Sequence, residues 1–107
     1  GPRMLNSFLL AADHEFVNPG GLEDISIKCA EAEWVDTWGK LRHSCTLAAP
    51  LEHEGLAFLA FKPIRIQKGT VTYGYLAKDA KLDGQDCKAG SYIRRDNEGK
   101  LIECKMD

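Results

Sequence analysis

The chain has 107 residues, enough for one ordinary domain, with 44% hydrophobic and 28% charged residues, a globular mixture rather than a disordered one. Its longest strongly apolar run, Leu56 to Phe61, is far too short for a membrane-spanning helix. A formal net charge of −2 and a pI near 5.9 encode no global attraction to nucleic acid or anionic lipid.

From the N-terminus, Gly1-Pro2-Arg3 reads as a cleavage scar or linker and Met4 onward as a single domain, 4–107. Residues 5–16 place Leu5, Phe8, Leu9 and Ala12 on one helical face, and the same stretch also suits an extended edge segment. Beyond it the chain is organised by an internal repeat. Gly39-Lys40-Leu41, Gly69-Thr70-Val71 and Gly99-Lys100-Leu101 recur every 30 residues. A shift of 29 aligns Leu47 with Leu76, Ala48 with Ala77, Gly55 with Gly84, Ala60 with Ala89, Ile64 with Ile93, and Arg65 with Arg94.

Between the glycines lie short alternating stretches such as Ile64-Arg65-Ile66, Val71 to Tyr75 and Ser91 to Arg94. This period-2 pattern of β-branched and aromatic residues suits half-buried strands. The punctuation is turn chemistry: Asn18-Pro19-Gly20-Gly21, Lys68-Gly69, Asp83-Gly84 and Asp96 to Gly99. Hairpins are predicted to pair 33–37 with 40–45 around Gly39, 63–67 with 70–75 around Gly69, and 91–95 with 100–104 around Gly99. Leu47 to Phe61 contains Pro50 and is predicted to hold a short turn. The predicted fold is mainly β, an antiparallel hairpin array forming a meander sheet or a small barrel, with a short N-terminal helix as an option.

The unit from Gly69 to Leu101 resembles bacterial MORN-like β-hairpin repeats, through Gly69, Leu76, Ala77, Asp79, Gly84, Ala89, Gly90, Ile93, Gly99 and Leu101. The resemblance extends loosely over 39–67 and not over the first 38 residues. It implies a hairpin-repeat fold and a cell-envelope or secreted setting, and little about activity.

Cys29, Cys45, Cys87 and Cys104 contain no C-x-x-C pair of the zinc or thioredoxin type. Within the repeat, Cys45 and Cys104 follow a Gly-Lys-Leu turn, while Cys29 and Cys87 precede the strand that enters it. That equivalence selects Cys29–Cys45 and Cys87–Cys104 as disulfides and, with them, a periplasmic or secreted location. Four reduced, buried thiols in a cytoplasmic protein are the alternative.

The chemistry-bearing clusters are sparse. Arg42-His43-Ser44-Cys45 sets His43 and Cys45 on one strand face, without the support a Cys–His nucleophile needs. A metal set drawn from His43, His53 and a carboxylate is scattered by alternation, which sends Glu52 and Glu54 away from His53; His14-Glu15 is isolated, and the histidines are expected at the surface or an edge. No catalytic residue, metal site or cofactor is predicted. Recognition is left to aromatic and basic residues: Trp34, Trp38, Tyr73, Tyr75, Tyr92 and Arg94 either form an exposed platform or fill the core. The function read from these features is a non-enzymatic, disulfide-stapled domain with a binding or structural role, its partner another protein or an envelope component and not nucleic acid. An inhibitor or immunity-type protein that blocks a partner is the alternative.

Overall fold

The structure is a computed structural model that describes residues 6–31, 34–38 and 41–107. Thirteen strands follow in chain order: β1 (Asn6–Leu9), β2 (His14–Val17), β3 (Ser26–Cys29), β4 (Trp34–Trp38), β5 (Arg42–Thr46), β6 (Leu51–His53), β7 (Leu56–Phe58), β8 (Pro63–Gln67), β9 (Thr70–Tyr75), β10 (Ala80–Leu82), β11 (Gln85–Cys87), β12 (Tyr92–Arg95) and β13 (Leu101–Lys105). A three-residue 3-10 turn at Pro19–Gly21 is the only helical segment among the described residues. The fold is mainly β, as the alternation predicts. The N-terminal helix is not formed: its residues divide between β1, which pairs with β4, and β2, which pairs with β3. Pairing with distant strands outweighs a weak local helical periodicity.

Seven strands form one antiparallel sheet in the order β1-β4-β5-β8-β9-β12-β13, and it is open, with β1 and β13 as edges rather than joined in a barrel. Three two-stranded hairpins, β2–β3, β6–β7 and β10–β11, leave and rejoin this meander. One core cluster joins the sheet face bearing Val35, Cys45, Ile64, Ile66, Val71 and Ile93 to the hairpin residues Ile27, Cys29, Leu51, Leu56, Phe58 and Cys87. The turn at Lys68-Gly69 has φ of 49° and 77°, and Glu54-Gly55 and Asp83-Gly84 repeat the same two positive values, the requirement of a tight I′ hairpin. The turn at Gly39 lies outside the described residues.

The 29-residue shift is reproduced atom by atom. Leu47 bridges Cys29 and Leu76 bridges Phe58. Phe61 N donates to Leu47 O and Gly90 N to Leu76 O, both at 2.8 Å; Ala48 N donates to Lys28 O and Ala77 N to Ala57 O, again at 2.8 Å. Lys28 and Ala57 are themselves 29 apart, so β2–β3 belongs to an earlier copy of the unit, which the sequence shows only in degenerate form, running into Trp34–Trp38 before Gly39.

The staples obey the same register. Disulfides join Cys29 to Cys45 and Cys87 to Cys104, with Cα–Cα separations of 5.9 and 6.0 Å. In the middle unit the equivalent positions are Phe58 and Gly74. There the ring covers the glycine so closely that a Cβ on Gly74 would sit 2.6 Å from Phe58 Cδ1. The double substitution Phe58→Cys/Gly74→Cys is therefore expected to close a third disulfide, read as two further protected thiols. Melting temperature should not rise, because losing a fully buried Phe costs about 3–5 kcal/mol, against a chain-entropy gain of about 3 kcal/mol.

Candidate functional site

The large sheet presents its second face to solvent, and strict alternation decides which residues it carries. On β5, His43 and Cys45 point into the core while Arg42, Ser44 and Thr46 point outward; on β8, Ile64 and Ile66 are buried while Pro63, Arg65 and Gln67 face out. A register shift between Arg65 and Ile66 adjusts the pairing with β9, and Thr72 Oγ1 turns there to donate to Arg65 O at 3.4 Å. The registers then string Ser44, Arg65, Tyr73, Arg94 and Glu103 into one row across five strands, with Tyr75, Tyr92 and Lys105 in a neighbouring row.

Tyr73, Tyr75 and Tyr92 gather on this face, half-buried, with ring centroids 5.7–6.0 Å apart. Their polar ends are occupied. Tyr75 Oη donates to Asp107 Oδ2 at 2.6 Å, and that bond, above all, pushes the phenol's pKa upward. Tyr92 Oη donates to Glu103 Oε1 at 3.3 Å, and Glu103 Oε2 also receives Arg94 Nε at 3.2 Å and Nη2 at 3.1 Å. Cations lie over two rings: Lys62 Nζ is 4.9 Å from the Tyr75 centroid and the Arg65 guanidinium 5.9 Å from that of Tyr73.

Of the six residues singled out from sequence, the structure brings together Tyr73, Tyr75, Tyr92 and Arg94, none of them in the core cluster. Trp34 and Trp38 stand on β4, and their side chains lie outside the described residues. Arg65, Lys62 and Glu103 complete the face and were not selected. Arg65 carried a usable signal: it is Arg94's partner in the 29-residue alignment.

Two shallow depressions open on this face beside the tyrosines. One, about 320 Å³, is lined by Arg42, Ser44, Arg65 and Gln67. The other, about 280 Å³, shares Arg65 and Gln67 and continues to Arg94, Arg95 and Asp96. Asp96 Oδ1 accepts the backbone amides of Glu98 and Lys100, each at 2.9 Å. These bonds, the Lys100 amide foremost, hold its carboxyl below the usual range.

On the opposite face His43 overturns an expectation. It is 2% exposed rather than at the surface, with Nε2 3.3 Å from Cys29 Sγ and its ring 4.7 Å from that of Phe16. Cys29, His43 and Cys45 are the one His/Cys/acid cluster of metal-ligand compactness among the described residues, and both sulfurs are bonded to each other. His53 stands apart from it. Its Nε2 lies 2.8 Å from Glu54 Oε1, because Glu54 occupies the β6–β7 turn with positive φ and escapes the alternation that was to separate them.

Burial drives the His43 pKa from 6.5 down to about 4. Between these values the unfolded chain binds a proton that the folded chain refuses, so stability should fall as pH drops from 6.5 toward 4. The loss amounts to about 3 kcal/mol. His43→Leu should flatten that segment of a stability–pH profile measured by urea unfolding, leaving the carboxylate-driven decline at lower pH.

No protein-family model matches the chain, and neither the curated proteins nor the solved structures give a significant match.

Proposed function

We propose that this protein is a non-enzymatic, disulfide-stapled β-repeat domain of the MORN-like kind that works in the bacterial periplasm or outside the cell and binds a partner through the solvent face of its seven-stranded sheet. The observation that carries this reading is the face itself: three clustered, half-buried tyrosines and the exposed Arg65 and Arg94, residue types that dominate interface hot spots, lie together on the outward side of the sheet. Two disulfides support an oxidising compartment, since they persist where thiols are not kept reduced. Among the described residues no helix is long and apolar enough to cross a membrane. The non-enzymatic reading is supported by the interior, whose one buried titratable side chain among the described residues, His43, abuts a disulfide and has no thiolate to generate.

Site-specific photo-crosslinking in the source cell tests the face. A crosslinker at Tyr73 is expected to trap one discrete partner, while one at Lys81 on the β10–β11 hairpin traps none. Equal trapping at both positions would remove the face as the recognition surface.

A further inference from the structure

We infer that the occupant of this face is a carboxylate-rich protein segment, an extended run of Asp or Glu side chains laid over the Arg65–Arg94 row. The inference rests on the proposed binding role and specifies its partner. Two adjoining depressions are lined by four arginines, with Arg65 and Gln67 belonging to both. The one carboxylate that lines them, Asp96, spends Oδ1 on two backbone amides. Arg65 and Arg94 flank Tyr73 from the two neighbouring strands, so their spacing is set by strand pairing, roughly 10 Å across the sheet. Arg65 leans on the Tyr73 ring and Arg94 is held through Nε and Nη2 by Glu103, so both guanidinium planes are oriented before a ligand arrives, and Arg65 is the one of the two whose fork no described carboxylate occupies. A guanidinium fork matches a carboxylate in two parallel hydrogen bonds.

The same geometry disfavours single-stranded nucleic acid, which takes much of its affinity from stacking on bare aromatic faces. Here the faces of Tyr73 and Tyr75 already carry Arg65 and Lys62. What the surface offers is oriented positive charge with hydrogen-bonding neighbours, Ser44 and Gln67, at its base.

Fluorescence anisotropy with the intact, oxidised chain and a labelled octaglutamate peptide tests this, with oligogalacturonate and oligothymidylate of similar charge as parallel probes. The peptide is expected to bind saturably, to weaken as salt is raised, and to lose at least tenfold in affinity in Arg65→Gln; Arg65→Lys, which keeps the charge but not the fork, should recover only part of that loss. Unchanged melting temperatures would show that both variants fold. Absence of peptide binding, peptide binding indifferent to Arg65→Gln, or tighter binding of the glycan or the oligonucleotide would each overturn the inference. Specific trapping at Tyr73 without peptide binding would discard the acidic-segment partner and keep the face.

Discussion

Joint replacement of Cys29 and Cys45 by Ala is expected to lower the unfolding free energy by about 3 kcal/mol, the chain-entropy value for a closed loop of this size. The loop spans a sequence separation of 16, and the second disulfide, at 17, should be worth the same. Removing both takes away about 6 kcal/mol, comparable with the entire stability of an ordinary small domain. Urea unfolding followed by circular dichroism should show the single-staple variants folded with lower midpoints and the staple-free variant unfolded near body temperature. The Cys29–Cys45 variant carries an added cost, because His43 packs its Nε2 against the lost sulfur and is left facing a cavity. Wild-type stability in the staple-free variant would show that the repeat packing alone holds the fold.

The second large effect is at Gly20. Its φ is +60°, and a Cβ there would lie 2.7 Å from both Ile66 O and Ile66 Cγ2, with no flexible neighbour to yield. Gly20 O also accepts the Gly69 amide at 2.8 Å, so the turn at Pro19–Gly21 is fastened to the sheet at the β8–β9 hairpin. Gly20→Ala combines left-handed strain with overpacking, each about 1–3 kcal/mol, and should cost about 4 kcal/mol. Gly55→Ala is the matched control: φ is +78° but a Cβ meets nothing within 4 Å, so only the strain of about 1 kcal/mol applies. Equal losses in the two variants would remove the close approach from the explanation.

These two sites divide what the sequence makes legible from what it does not. Turn chemistry is local, so Lys68-Gly69 predicts its hairpin, and Asp83-Gly84 and Asn18 to Gly21 read as turns. That Gly20 lies against the Ile66 backbone depends on a strand 46 positions away, and nothing local records it. The disulfide pairing was legible because two copies of the unit keep their cysteines. The middle copy's counterpart of the disulfide was not, because Phe58 over Gly74 fills the same space with different chemistry. The β6–β7 hairpin was passed over as a short turn, since all three residues of Leu56–Phe58 are buried and show no alternation. His43 misled because strand parity gives a side chain's face but not the depth of the layer above it. Replacing His14, which is exposed, should therefore harm folding less than Gly99→Val does, and replacing the buried His43 should not.

For the face, parity placed Tyr73 and Tyr75 together, but only the β9–β12 register shows that Tyr92 joins them and that Arg65 and Arg94 bracket Tyr73. Cross-strand neighbours are long-range facts that a single sequence carries only through its repeat.

The oxidising compartment and the stapled repeat both depend on the state of the four cysteines. Protein isolated from its source under acid quench, alkylated in denaturant without reductant, then digested and mass-mapped, should show no alkylated cysteine and two linked peptide pairs, Cys29 with Cys45 and Cys87 with Cys104. Four alkylated cysteines would contradict the oxidising compartment and the stapled repeat together.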